Sequence, residues 1–300
     1  MLHTFFYLHT TPLEQGWIDN EMKHIVFLLF GGLLLSCSLL SCESITHDDE
    51  DNNDSVPLIR LVNTSGNYDW AGSTMNYNYD ESGRLVFEPF CGHVSYSQKD
   101  NNTVIATMEY ETGKNELTLE KNACTSATYY WKSGNESEKR TISNTYSNGR
   151  IASRKETVSG NNFGNSFEYV CLSIFSWNND NLVSWERKSN SGGSSVWTYD
   201  YYDHLNPWAN SLFDFTSAYF LESDNDDLPI EFVLGYIGKH SKNLLKAVYH
   251  DGLLFITLTY DYDASGRISK ITERVDRGYS YLRWGSMDTE ERSCVFELIY

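Results

Sequence analysis

Carboxylates offer this chain its widest choice of chemistry. Glycoside hydrolysis needs two carboxyls, about 5–5.5 Å apart for retention or about 6.5–9.5 Å for inversion. With 41 acidic residues, spacing along the chain singles out no such pair. Glu222 to Asp227 (ESDNDD) mimics the start of a calcium loop, with Asp224 and Asp226 two apart. It lacks the glycine and the distal bidentate glutamate of that loop, so it reads as solvated. His47, His93, His204, His240 and His250 follow the N-terminal region, none at metal-ligand spacing from another. There is no H-E-x-x-H, phosphate loop, dinucleotide fingerprint or G-x-S-x-G. No metal and no cofactor are expected, and a non-catalytic chain is the reading these residues support. Rings are the other resource: 21 Tyr, 15 Phe and 8 Trp. A tryptophan with one face in water can stack on a sugar, and Trp131, Trp197 and Trp208 are the candidates. The competing use of such rings is cross-strand packing.

What would position these groups is visible in a phrase written twice. YNYDESGRLVF spans Tyr77 to Phe87, and YDYDASGRI spans Tyr260 to Ile268. Glu81-Ser82-Gly83 fits a three-residue hairpin loop, a type I turn closed by a left-handed residue, which Gly83 adopts at no steric cost. Asp80 then faces Arg84, Tyr79 faces Leu85 and Tyr77 faces Phe87. In the second copy Asp263 faces Arg267 around Gly266, Tyr262 faces Ile268 and Tyr260 faces Lys270. Side chains alternate along a strand, so rings and aliphatics share a face, each pair contributing about 0.2–1 kcal/mol. FSWNNDNLVSW predicts a loop of Asn179-Asp180-Asn181 with Trp177 on Val183 and Phe175 on Trp185. NTYSNGRIA predicts a type I′ turn at Asn148-Gly149 with Tyr146 on Ile151. Asp251-Gly252 is another tight turn, placing Tyr249 opposite Leu254.

Further alternating runs include TVIATMEYE, ELTLEK, TSATYYWK, SFEYVCLSIFSW, SSVWTYDYY and CVFELIY, separated by Gly, Asn, Asp and Ser. Roughly a dozen strands follow from these rules. The fold class is mainly β, a curved antiparallel meander forming an open or partly closed barrel-like sheet. One helix interrupts it near residues 206–221. Asn206 would cap it and Pro207 open it, with Trp208, Leu212, Phe215 and Tyr219 on one apolar face. A shorter helical turn is expected around Glu231 to Gly238. No Pro/Ser-rich linker divides residues 56–300, so they read as a single antiparallel β domain, with a split near 203–206 as the alternative.

The N-terminus carries an address. From Met22, MKHIVFLLFGGLLLSCSLLSC has one lysine, an apolar run and a small-residue ending, the layout of a secretory signal. The run from Ile25 to Leu40 is short for a span of about 20 residues. Residues 1–21 read as an upstream extension, 22–41 as the signal peptide and 42–55 as an acidic tether. An exported chain permits disulfides. Cys91, Cys124, Cys171 and Cys294 allow three pairings, or simply pack as free thiols. The net charge of −18 excludes nucleic acid as a natural partner, since phosphates would be repelled.

Several of these segments carry resemblances. Leu39-Leu40-Ser41-Cys42 resembles a bacterial lipobox, which implies lipidation at Cys42; Leu34 to Cys37 is an earlier candidate. Asp48-Asp49-Glu50-Asp51 resembles the acidic export signal that lipoproteins of Bacteroides-like bacteria carry just after the lipidated cysteine, which implies display on the outer face. Asp54-Ser55-Val56 resembles an O-glycosylation triplet of that group. Tyr-x-Tyr-Asp-x-x-Gly-Arg-Leu/Ile resembles the YD repeat of large secreted shell proteins. Taken with GYIGKHSKNLL (Gly235 to Leu245), the chain resembles a family of uncharacterised Bacteroidota lipoproteins with curved or porin-like antiparallel sheets and no assigned activity. VFELIY resembles the closing strand of an outer-membrane barrel, although most strands are too polar for a lipid-facing band. The expectation is a lipid-anchored, surface-displayed binding or structural module, with a glycan or a surface protein as partner. The alternative is a cell-surface glycan hydrolase using paired carboxylates, and a third reading is a lipid handler with an apolar cavity.

Overall fold

The computed structural model describes residues 58–66, 72–88, 92–162, 164–220, 229–276 and 292–300. Cys42, Asp48, Asp49, Glu50, Asp51, Cys91 and the ESDNDD run lie outside them. Residues 55–300 form one compact unit, with eighteen strands among the described residues, more than the dozen expected because several are short. The early strands are β1 (Leu61–Gly66), β2 (Thr74–Asn76), β3 (Asn78–Tyr79), β4 (Leu85–Glu88), β5 (Gly92–His93) and β6 (Ser95–Gln98). Longer ones follow: β7 (Thr103–Tyr110), β8 (Gly113–Glu120), β9 (Ala123–Ser133), β10 (Glu136–Ser147), β11 (Arg150–Asn162) and β12 (Asn165–Asn178). Then come β13 (Asn181–Ser189), β14 (Ser194–Leu205), β15 (Asn243–His250), β16 (Leu253–Tyr262), β17 (Ile268–Val275) and β18 (Arg292–Ile299). From β6 to β18 each strand pairs with the next. β1 then adds to β18, and β2 to β1, giving one fifteen-stranded antiparallel sheet. The sheet is curved and not closed into a barrel. β3, β4 and β5 form a separate small sheet, in which β4 contacts β2 and β5 contacts β7.

The repeated phrase is a hairpin in both places. Asp80 N–H donates to the Arg84 carbonyl at 2.9 Å, and Gly83 takes φ +76°. The Asp80 carboxylate accepts from the backbone N–H groups of Ser82 and Arg84 through Oδ1, and from Arg84 Nε at 2.7 Å through Oδ2. Asp263 repeats this with Ser265 and Arg267 around Gly266, φ +81°. One aspartate therefore ties down the turn and pairs with the arginine. Tyr79 faces Leu85 and Tyr262 faces Ile268.

One strand position further out, the register departs from the expectation. Phe87 faces Asn78, not Tyr77; Tyr260 faces Ile271, not Lys270; and Trp177 faces Leu182, not Val183. For Phe87 and Tyr260 the cause is a bulge on the return strand, where Val86 and Ser269 are extra, and for Trp177 it is the length of the loop; Val183, Thr125, Ala152 and Lys246 are extra residues of the same kind. Asn179 and Asp180 both take positive φ, so that loop has two residues rather than three. The bulge then restores Phe175 opposite Trp185. Tyr146 faces Ile151 and Tyr249 faces Leu254 as read from sequence.

A bulge interrupts the hydrogen-bond ladder and exposes a carbonyl. Each of these six is met by an aromatic from the chain that follows. Leu85 O accepts from Tyr96, Cys124 O from Tyr146, Ile151 O from Trp177 Nε1, Leu182 O from Tyr201, Leu245 O from Tyr260 and Ile268 O from Tyr300, all at 2.7–2.8 Å. Burial holds the Tyr146, Tyr201 and Tyr260 phenols well above their ordinary pKa, so they remain donors.

The long connection between β14 and β15 packs on the buried face of the sheet. The single helix expected from Asn206 is shorter: turns occupy 207–212, and α1 spans Phe215–Phe220. Asn206 Oδ1 caps the first turn through Trp208 N–H, while Asp214 accepts from Thr216 N–H and Ser217 Oγ at the helix start. Asp214 is the better cap because Phe213 and Phe215 beside it can then both enter the core. A second helix, α2, spans Ile230–Val233. Phe232 stacks on Trp185 at 5.6 Å, and Phe215 meets Phe296 at 5.7 Å. The segment after α2 crosses the hairpin ends: Cys124 N–H donates to Tyr236 O, and Lys239 N–H to Gly149 O. Gly235 and Gly238 permit that approach, since a Cβ would fall 1.7 Å from Leu212 O and 2.3 Å from Gly149 O respectively.

Candidate functional site

Alternation from β7 to β12 sorts the inward-facing residues into rungs across six strands. The rung nearest the sheet end reads Tyr110, Gly113, Trp131, Glu138, Gly160, Phe167. The next reads Met108, Asn115, Tyr129, Arg140, Val158, Tyr169, and the third Ala106, Leu117, Ala127, Ile142, Glu156, Cys171. A fourth, over fewer strands, reads Asn144, Arg154, Ser173, Arg187. Polarity thus runs from an aromatic edge inward to charge. Tyr110 and Trp131 are 40% and 42% exposed on this inward side. Phe167 and Tyr169 are half-buried, with centroids 6.3 Å apart. Phe167 lies over Gly160, where a Cβ would come within 2.6 Å of its ring. Glycine on this rung lets the neighbouring ring lie flat against the sheet.

The charges form one chain. Glu138 Oε1 accepts from Arg140 Nε at 2.5 Å. Arg140 reaches Glu156 Oε1 at 3.7 Å, and Arg187 reaches Glu156 Oε2 at 3.6 Å. Arg154 links the two innermost carboxylates, Nη1 to Glu156 Oε2 and Nε to Glu231 Oε1, both 2.9 Å. Tyr129 donates its hydroxyl to Glu231 Oε2. Exposure falls along the path, from 30% of the Glu138 side chain to none of Glu231. Burial alone would lower the Arg154 pKa, but Glu231 and Glu156 outweigh it and hold the guanidinium above its usual value. Burial first, and then Glu231, push the Tyr129 phenol and the Cys124 thiol well up. Glu156 Oε1 receives no hydrogen bond. It is a buried acceptor beside Arg140, able to take a donor from a ligand.

The three tryptophans proposed for stacking separate here. Trp131 holds a rung of the open end. Trp197 is 2% exposed and stacked on His250 at 3.9 Å, and Trp208 is 2% exposed within the core. Neither can offer a face to a ligand, because Trp197 packs across strands and Trp208 is enclosed in the core with the crossover. The histidines do not converge: His240 lies 3.8 Å from Asp214, while His93 meets Phe87. Cys124, Cys171 and Cys294 are free and buried. Among the described residues no group of three or more His, Cys, Asp or Glu could hold a metal.

The arginines and glutamates of the ionic chain were missed in the sequence. Their signal was available in RIASRKETV, where Arg154, Glu156 and Val158 alternate on the core side of β11. Charges at core period mark a buried polar network. No protein-family model matches the sequence, and a comparison with curated proteins gives no match. Among solved structures, the chain is similar to a porin-like protein from Bacteroides vulgatus, with TM-score 0.53 and 11% identity, covering 81% of this chain and 98% of that one. It is similar also to a porin-like protein from Bacteroides uniformis, with TM-score 0.51 and 15% identity, covering 80% and 97%. At these identities the likeness is one of fold: the curved antiparallel sheet of this chain is the architecture of those two proteins.

Proposed function

We propose that this chain is a lipid-anchored outer-membrane protein, displayed on the cell surface, which binds glycan at the open end of β7–β12 without catalysis. The observation that carries the reading is the rung of Tyr110, Trp131 and Phe167 set above the Glu138–Arg140–Glu156 chain. Rings stack on the C–H faces of sugars, and fixed charges receive or donate to hydroxyls. The outward sides of β10 and β11 carry Lys139, Thr141, Ser143 and Thr145, and Ser153, Lys155, Thr157 and Ser159. That surface suits water better than lipid, which favours an anchor over a transmembrane barrel despite the likeness to porin-like folds.

The hydrolase reading has its carboxylate pair in Glu156 and Glu231, and their setting argues against it. A catalytic carboxylate pair must leave room between its carboxyls for the scissile bond. Arg154 occupies the space between these two, 2.9 Å from each. A glycan array probed with the processed chain is expected to give retained ligands. Trp131→Ala is expected to weaken them at least tenfold with an unchanged melting temperature; full retention by the variant would refute this site. The address is tested separately: Cys42→Ala should move the protein from the membrane to the soluble fraction, and unchanged membrane association would refute lipidation there.

A further inference from the structure

A second site lies at the other end of the same strands. A cavity of about 260 Å³ is lined by Arg84, Gln98, Asn101, Asn102, Val104, Leu119, Lys121, Asn122 and Tyr236. It is bounded by the β6–β7 and β8–β9 turns, whereas Trp131 stands eight residues beyond Ala123 on β9, about 26 Å away at roughly 3.3 Å per residue. Its walls supply amides and two cations, and its apolar wall is Val104, Leu119 and the Tyr236 ring.

The backbone gives an independent reason to look here. Among the described residues, every non-glycine with positive φ is Asn or Asp except one, Lys121, at φ +50°. The equivalent turns elsewhere use Asn148-Gly149, Asn179-Asp180 and Asp251-Gly252. A lysine held in this conformation is strained by about 1–2 kcal/mol, and residues strained in this way cluster at active sites and ligand clamps. Lys121, Asn101 and Asn122 make no side-chain hydrogen bond or ion pair among the described residues. Arg84, by contrast, gives Nε and Nη2 to Asp80. The cavity therefore presents one uncompensated positive charge, in a chain whose net charge is −18.

We infer that this cavity binds a carboxylated pyranose, with Lys121 on the carboxylate, Asn101 and Asn122 on the ring hydroxyls, and Val104 and Leu119 under the C–H face. The volume falls short of the roughly 300 Å³ at which drug-sized sites begin, which limits the occupant to about one ring. One unpaired cation matches a carboxylate monoanion better than a phosphate dianion. The ring can arrive as a free hexuronate or as the end of an acidic glycan.

The test is calorimetric titration of the full chain with galacturonate, galactose, galactose 6-phosphate and a galacturonate oligomer. Galacturonate is expected to bind at least tenfold more tightly than galactose or the phosphate. An oligomer tighter than the monosaccharide identifies a glycan end as the source, and equal affinity identifies the free sugar; both outcomes keep the site. Lys121→Gly removes the charge and relieves the strain. It should abolish galacturonate binding while holding or raising the melting temperature, and Lys121→Arg should retain binding. Absence of galacturonate binding at millimolar concentration, equal affinity for galactose, or full binding by the glycine variant would overturn the inference. Trp131→Ala should leave this titration unchanged, so failure of one site does not imply failure of the other.

Discussion

The tyrosine hydroxyls at the hairpin ends explain why one phrase recurs. A bulge that lets a strand bend leaves a carbonyl facing inward without its ladder partner, and a buried acceptor left open costs about 1–3 kcal/mol. Tyr260 answers one such carbonyl, Leu245 O, at 2.7 Å. Tyr260→Phe keeps the ring and removes only the donor. It should cost about 1–2 kcal/mol in urea unfolding, whereas Tyr130→Phe, on the outward and exposed side of β9, should cost nothing measurable. Equal effects would mean that the ring, and not its hydroxyl, is what the position requires.

At the scale of elements, the crossover from β14 to β15 is held by closeness of backbone. Gly238 brings Lys239 N–H to Gly149 O at 2.8 Å. In Gly238→Ala the new Cβ would meet Gly149 O at 2.3 Å, whereas at Gly252, also of positive φ, it would meet nothing within 4 Å. Both substitutions carry the left-handed strain, so the difference isolates the approach. Gly238→Ala should destabilise by at least about 1 kcal/mol more than Gly252→Ala, with faster amide exchange at Lys239; matching values would show that the crossover is not seated by this contact. The same elements show what could be read in advance. Hairpins such as Tyr146–Ile151 and Tyr79–Leu85 were legible because turn chemistry is local and alternation has a fixed period. The bulges were not, because an extra residue such as Val183 looks like any other strand residue until the curvature of neighbouring strands requires it. Trp197 and Trp208 could not be told from Trp131 as stacking or packing rings, because burial is set by neighbours distant in sequence, such as His250 and Phe255 against Trp197. The ionic chain joins Arg154 on β11 to Glu231 on α2, 77 residues apart, a separation across which no local pattern reaches. Trp131 stays open because it stands at a sheet end, which strand length alone reveals.

Over the whole molecule, one carboxyl tests whether the buried side of the sheet is as dry as its packing implies. Glu273 is 4% exposed on β17, opposite Cys294 on β18 and Leu258 on β16. Burial is the only cause acting on it and raises its pKa from 4.5 to about 7. Burial, with Glu273 next, carries the Cys294 thiol up to about 12. Between the unfolded and folded values the native state binds more proton than the unfolded chain, so stability from this group falls as pH rises. It is fully present below about 4.5, declines to about 7 and is flat above. At about 1.4 kcal/mol per pKa unit the loss is on the order of 3 kcal/mol. Glu273→Gln keeps the shape and cannot ionise. Other groups titrate over the same range in both proteins, so the readout is their difference in unfolding free energy from pH 4 to pH 8. The variant should gain on the native protein steadily through that window and hold its advantage above pH 7. Parallel curves would mean that water reaches Glu273, and that the interior between β16 and β18 is open where the structure packs it closed.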